Sequence, residues 1–446
     1  MSVSPARAAA FDILLQVEQE AAYASELLHS TRYAKLSAAD HGLATELVMG
    51  TLRWQSLLDR RITEHSSQSI RKLDAQVLIA LRLAVYQLLF LDRVPQRAAV
   101  HESVELVKRA RKRSAVPFAN AVLRKLLDGA SGHAPSSIAN TETAMELADA
   151  SAHPDWLVER WVQHYGLAPT RQICLHNQQP PETSIRITDP AIESELKGAS
   201  VVLSPGRLLH SARRIVSGDV TNTAAFREGR VFVQDEASQL VAMLVGTGEN
   251  ILDCCAAPGG KTRVLADRNP ASRILAAELH PHRARLLRRL VPAQNVEVVN
   301  ADISQLPLER PFDRVLADVP CSGTGTLARN PEIKWRLKPE DLADLHARQV
   351  TILKSAMQRL APGGRLVYST CSLEREENED VVETVLKEDP MFRMVPARDE
   401  LARLQEAGEL AWPNPEELIS GTYLRTLPGM HPTDGFFAAV MERMQK

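Results

Sequence analysis

Over residues 4–130, apolar side chains recur three and four positions apart, the spacing of one face of an α-helix. Segments 6–19, 37–62, 73–91, 99–113 and 117–128 each carry that pattern and predict an all-helical N-terminal region, bounded at about residue 135. Residues 136–152 are mostly small and polar and read as a linker. The stretch 153–166, HPDWLVERWVQHYG, predicts a short amphipathic helix. Pieces with strand-like alternation follow at 183–188, 213–218 and 229–239, so 153–240 reads as a small α+β region. From 241 to 446 the pattern becomes a regular alternation of elements. Strands are predicted over 250–255, 272–278, 296–300, 312–319 and 364–370, with helices over 260–268, 282–291, 339–360 and 376–388, and 435–443 closes the chain. Alternating β and α with short loops predicts a doubly wound, mainly parallel sheet, whose ligands bind at the C-terminal ends of its strands.

Composition narrows this frame. A chain of 446 residues exceeds one ordinary core and suggests about three domains. It is 44% hydrophobic and 24% charged, with net charge −2, so any attraction to nucleic acid must be local. Residues 1–130 hold 18 lysines and arginines against 13 acids, with Lys108, Arg109, Arg111, Lys112 and Arg113 in one cluster. That cluster reads either as a solvated helix end or as a phosphate-contacting patch. The longest apolar run, 77–91, is interrupted by Arg82 and Gln87. It falls short of the roughly 20 residues of a membrane span and reads as a core helix. The N-terminus turns acidic too early for a signal peptide. Five cysteines, Cys174, Cys254, Cys255, Cys321 and Cys371, show no CxxC spacing. The set argues against a disulfide scaffold and against a metal site, and fits a reducing cytoplasm.

Three stretches carry candidate chemistry. In ILDCCAAPGGKT, 251–262, Gly259 and Gly260 allow a tight turn and close approach of backbone to a ligand. GKT is not a P-loop here, because the required glycine five residues before Gly260 is Cys255. A dinucleotide G-x-G-x-x-G is also absent. What remains is strand, glycine turn and helix, followed by an acid at Glu278 that can accept bonds from ribose hydroxyls. Asp302, after the next strand, can accept from an adenine amino group. Taken singly, each acid reads as a cap or turn residue; successive strand ends carrying an acid or a glycine loop point to a nucleoside cofactor. The second stretch, DVPCSGTG, ends a strand at Asp318 and Cys321. The third, YSTCSLEREENE, places Cys371 just past an apolar run. Free cysteines are commonly buried small hydrophobes, yet these two stand at strand C-termini of one sheet.

Together the three stretches resemble the RNA cytosine-C5 methyltransferases of the Sun/Nop2 family, over about 234–380, and VQDEASQL at 233–240 also fits that family. Residues 4–130 are similar to the NusB-like RNA-binding domain, a pairing that resembles bacterial members acting on small-subunit (16S) ribosomal RNA. The resemblance implies a Rossmann-like methyltransferase domain after an all-α NusB-like domain. It implies S-adenosylmethionine as cofactor, held by Cys255, Ala256, Ala257, Pro258, Gly259, Gly260 and Lys261 with Glu278, Asp302 and Asp318. The family commonly has aspartate where Glu278 stands; the longer carboxylate still reaches ribose. It assigns attack on cytosine C6 to Cys371 and a part in release to Cys321. Asp318 is expected to hydrogen-bond N3 if it carries a proton, or to bind the exocyclic amine as a carboxylate. Lys261 orients the base or the cofactor. Ribosomal RNA is the expected partner, with no membrane and no metal, for a cytoplasmic enzyme acting as a monomer. The competing readings are a DNA cytosine methyltransferase, in which the Pro-Cys motif itself attacks, and a catalytically idle RNA-binding assembly factor.

Overall fold

The structure, a computed structural model, describes residues 3–20, 22–128, 137–306 and 311–445. The chain divides into two units: Met1–Pro180 with Leu327–Arg336, and Pro181–Thr326 with Leu337–Lys446.

The first unit is helical. Its helices are α1 (Pro5–Glu20), α2 (Ala24–Leu28), α3 (Ala38–Arg53), α4 (Gln55–His65), α5 (Ala75–Phe90), α6 (Gln96–Arg109), α7 (Val116–Asp128), α8 (Ala144–Ser151), α9 (Asp155–Tyr165) and α10 (Leu167–Asn177). The periodicity over 37–62 continues across two helices, because the backbone leaves helical geometry at Trp54. The polar residues that interrupt the apolar run of α5 are buried partners. Arg82 donates to both oxygens of Asp59 at 2.6 and 2.8 Å, and Gln87 accepts from Arg7 at 2.7 Å. Paired in this way, they avoid the cost of an unsatisfied buried group. The expected linker at 136–152 is not extended: among its described residues lie a 3-10 turn at Ile138–Asn140 and α8. Its first residue, like 129–135, lies outside the described residues.

The described strands of the second unit form two sheets. The smaller has the order β2-β3-β1-β4, from β1 (Ser184–Arg186), β2 (Val202–Pro205), β3 (Ala212–Ser217) and β4 (Phe232–Val233), all antiparallel. Helices α11 (Pro190–Gly198), α12 (Ala224–Arg227) and α13 (Glu236–Leu244) alternate with these strands along the chain or follow them. The larger sheet runs β11-β12-β13-β9-β8-β5-β6-β7, with β10 beside β13. Its members are β5 (Asn250–Asp253), β6 (Arg273–Glu278), β7 (Val296–Asn300), β8 (Phe312–Asp318), β9 (Leu360–Thr370), β10 (Phe392–Val395), β11 (Ile419–Ser420), β12 (Tyr423–Thr426) and β13 (Phe436–Arg443). Helix α14 (Gly260–Arg268) follows β5 and α15 (Pro281–Leu290) follows β6. Strands β5 to β9 are parallel and β13 runs antiparallel to β9. Order reverses at β5, with β6 and β7 on one side and β8 and β9 on the other, which opens a crevice at the strand C-termini. Both faces are covered, as a parallel sheet requires. Ile251, Leu316 and Val367 point into one core, and their neighbours Leu252, Val315 and Leu366 into the other.

Ten residues expected within the methyltransferase region, Leu327–Arg336, belong to the helical unit and carry α16 (Ile333–Arg336). Lys334 is 1% exposed and donates to the carbonyls of Arg53 and Ala152 at 2.8 and 2.7 Å. Burial pulls its ammonium well below the usual lysine range.

Candidate active site

The C-terminal ends of β5, β6, β8 and β9 carry the residues expected to act. After β5 the loop 254–259 turns into α14. Gly259 adopts φ +117°, and a Cβ there would stand 2.5 Å from Val291 and 2.8 Å from Leu287. Only glycine brings the loop this close to α15 without strain. Beneath the loop, Asp253 is buried and accepts from the Thr262 hydroxyl at 2.7 Å, while its other oxygen has no partner among the described residues. Burial pushes its pKa up to about 7. Burial likewise pushes the Cys254 and Cys255 thiols upward, which leaves them unsuited to attack.

Lys261, in the first turn of α14, reaches Asp318, the last residue of β8, at 2.8 Å. The other Asp318 oxygen accepts from Ser369 Oγ at 2.7 Å, and β8–β9 pairing sets Asp318 directly opposite Ser369. The Lys261 ammonium also lies 4.9 Å from the centre of the Phe436 ring. Burial opposes its charge, but the Asp318 carboxylate and then Cys371 outweigh it and hold the ammonium above the usual lysine range.

Two residues beyond Ser369, Cys371 meets Cys321, with the sulfurs 3.3 Å apart and both residues half-buried. Cys371 also accepts the Gly325 N–H on its carbonyl at 2.9 Å, which ties the two loops together. The hydrogen bond to Cys371, burial, and the charges of Cys371 and Glu377 keep the Cys321 thiol well above the ordinary thiol range. Two sulfurs at this distance do not both ionise cheaply; the one that keeps its proton donates to the other.

The structure therefore brings Lys261 to Asp318 and Cys321 to Cys371, with Ser369, two residues before Cys371, bonded to Asp318. Glu278 ends β6, 4% exposed, with one oxygen accepting the His280 N–H at 2.9 Å and the other 4.0 Å from Arg283. Asp302 is exposed beyond β7 and caps the turn Ile303–Gln305 through Ser304 N–H at 2.8 Å. Lys261 is already neutralised by Asp318, so no unpaired ammonium faces a cationic cofactor here. Glycine loop, buried carboxylate and exposed carboxylate make an acceptor set that fits a ribose and a sulfonium. Among the described residues no group of three or more His, Cys, Asp or Glu could hold a metal. No described helix is long and apolar enough to cross a membrane. Reading the sequence missed Glu377, which is fully buried under both cysteine loops; it sits in an acidic run that looks like a solvated face.

A mostly parallel sheet with this switch point, a glycine loop after its first parallel strand and acids at its strand ends define a Rossmann-like methyltransferase. Comparison with known proteins narrows the class. Residues 241–442 match the family described as 16S rRNA methyltransferase RsmB/F, residues 4–128 the NusB family, and residues 153–195 the RsmF/B-like ferredoxin-like domain. "Probable ribosomal RNA small subunit methyltransferase B" of Bacillus subtilis is 32% identical, covering 99% of this chain and 100% of that one. Ribosomal RNA small subunit methyltransferase B of Salmonella paratyphi C is 33% identical over 91% of each chain. The crystal structure of PH0851 is 26% identical with TM-score 0.78, covering 99% of this chain and all of that one. The chain belongs to the RsmB/F family of methyltransferases, whose cofactor is S-adenosylmethionine.

Proposed function

We propose that this chain methylates C5 of a cytosine in small-subunit ribosomal RNA, through a covalent bond between Cys371 and C6. The observation that carries the reading is the sulfur pair, 3.3 Å apart, beside the Lys261–Asp318 ion pair at the ends of β8 and β9. A cytosine C5 is a poor nucleophile until a thiolate adds at C6, and such covalent catalysis splits one hard step into two easier ones. The Cys321 sulfur lies within hydrogen-bond reach of Cys371, and the Lys261 ammonium interacts with Cys371, so attack is assigned to Cys371. Its sulfur must reach a base taken out of the RNA stack.

As the S–C6 bond forms, the C5–C6 π electrons move into the ring and C5 becomes enamine-like. Asp318 accepts on both oxygens, the pattern of an ionised carboxylate. That favours contact with the exocyclic amine over donation to N3 and leaves Lys261 to balance the charge that builds on the ring. The 255–261 loop, Glu278, Asp302 and Asp318 would hold S-adenosylmethionine, which would supply an electrophilic methyl group.

Alkylation of Cys371 removes its hydrogen bond to Cys321 and its charge, two of the influences that hold the Cys321 proton, while burial and Glu377 remain. Cys321 can then lose its proton to solvent and, as a thiolate, take the proton from C5. The C–H electrons reform the C5–C6 double bond, the C6–S bond breaks, and the thiolate returns to Cys371. One proton is released per turnover.

The test is a pair of variants incubated with small-subunit RNA and S-adenosylmethionine. Cys371→Ala should bind cofactor normally and form neither product nor adduct. Cys321→Ala should form a denaturation-resistant protein–RNA band, because each ~1.4 kcal/mol added to the elimination barrier lengthens the adduct's life about tenfold. A band with Cys371→Ala but none with Cys321→Ala reverses the roles.

A further inference from the structure

Both cysteines are followed by a serine, and both serines reach the same buried carboxylate. Glu377 Oε1 accepts the Ser322 N–H at 2.8 Å and the Gln349 side-chain amide at 2.9 Å. Its Oε2 accepts the hydroxyls of Ser322 and Ser372. A carboxylate offers about four acceptor positions, and here all four are filled by donors. Gln349, on α17 (Asp341–Gln358), donates also to the carbonyl of Pro320 at 3.0 Å, the residue before Cys321. The neighbouring Asn378 donates to the Ser372 carbonyl at 2.9 Å. Glu377 itself is fully buried, and Tyr368 Oη donates to its carbonyl at 2.6 Å.

We infer that Glu377 is a positioning residue for the two-cysteine site, a single buried carboxylate that fixes the Cys321 loop against the Cys371 loop. The inference rests on the reading of Cys371 as nucleophile and Cys321 as the group that completes release. Neither loop belongs to a regular element beyond its strand end, so β8–β9 pairing alone does not set the sulfur–sulfur distance. The serine–Glu377 bridges supply that constraint at the residue next to each sulfur-bearing one. Sub-ångström placement matters because proton removal from C5 requires Cys321 within hydrogen-bond reach of a carbon already bonded near Cys371.

Glu377→Gln keeps the shape and turns an amide NH2 toward groups that donate. Expected is a fall in kcat of at least thirtyfold, with S-adenosylmethionine affinity within twofold of the parent. Release should suffer more than attack, so Glu377→Gln should accumulate the protein–RNA adduct, and Glu377→Gln/Cys371→Ala should not. A merely structural role lowers all activities together and leaves no trapped adduct. Cys321→Ala and Cys371→Ala run on the same gel separate the two failures. If Cys321→Ala traps no adduct, the reading of the cysteines falls. If Cys321→Ala traps it while Glu377→Gln turns over normally, or loses activity without any adduct, the Glu377 inference falls. Ser322→Ala and Ser372→Ala each remove one donor without leaving a charge uncompensated, and carry the test should Glu377→Gln not fold. Adduct levels above the parent in either serine variant support the inference, and parental adduct and turnover in both overturn it.

Discussion

At the scale of single residues, the site depends on where protons sit. Asp253 is expected to be the clearest case outside the sulfur pair. Its pKa rises from 3.8 to about 7, chiefly because burial penalises the charge. A raised carboxyl pKa means that the folded protein binds more protons than the unfolded chain between about pH 4 and 7. Stability is therefore lost as pH rises through that window and changes no further above it. At ~1.4 kcal/mol per unit the effect is at most ~4 kcal/mol. Asp253→Asn stays neutral and should be free of it. Its urea midpoint, relative to the parent, should rise between pH 5 and pH 8; parallel profiles would remove Asp253 from the account. The residues YSTCS and DVPCS were legible as reactive candidates because polar strand ends are unusual places for inert cysteines. Glu377 was not legible, because an acid in an acidic run carries no mark of burial.

At the scale of elements, the turn between β5 and α14 decides how closely the loop packs against α15. Gly259→Ala forces a side chain into φ +117° and into Val291 and Leu287. Backbone strain of this kind costs ~1–3 kcal/mol, before any overlap. Gly408 has φ +68°, and a Cβ there would meet nothing within 4 Å, so Gly408→Ala brings strain without collision. Calorimetric titration should show S-adenosylmethionine binding weakened at least tenfold by Gly259→Ala and unchanged by Gly408→Ala. Equal effects would mean that close approach at the loop is immaterial. The long helices and the parallel strands were readable from periodicity. Strands β2, β10, β11 and β12, each of four or fewer residues, were not.

At the scale of the molecule, the basic cluster near residue 110 proves to be largely self-compensated. Lys108 pairs with Glu105 at 2.7 Å, Arg109 with Asp12 at 3.0 Å and Lys112 with Asp74 at 3.0 Å. Among the described residues, Arg111 and Arg113 have no ion pair. Each phosphate contact changes the slope of log affinity against log salt by roughly 0.7–0.9. Arg111→Gln/Arg113→Gln should lower the slope for RNA binding by one to two units, and Lys108→Gln/Arg109→Gln/Lys112→Gln by less. The opposite ranking, or no change in either, makes the cluster a solvated helix end.

Sequence by itself determined the kind of elements, the helical and α/β regions and the motifs at the strand ends, because periodicity and turn chemistry are local. It marked Cys321, Cys371, Asp318 and Lys261 as candidates but could not say that Lys261 meets Asp318 or Cys321 meets Cys371, since these are 57 and 50 positions apart. Strand order decided that: pairing β8 with β9 sets Asp318 against Ser369, and β5 beside β8 brings α14 and Lys261 to the same edge. Tertiary structure also moved Leu327–Arg336 out of the region its neighbours occupy and into the helical unit, where Lys334 finds two buried carbonyls. Burial has no local signature for a charged side chain. Whether Glu377, Asp253 or Lys334 lies in water or in the core depends on what the rest of the chain folds over it.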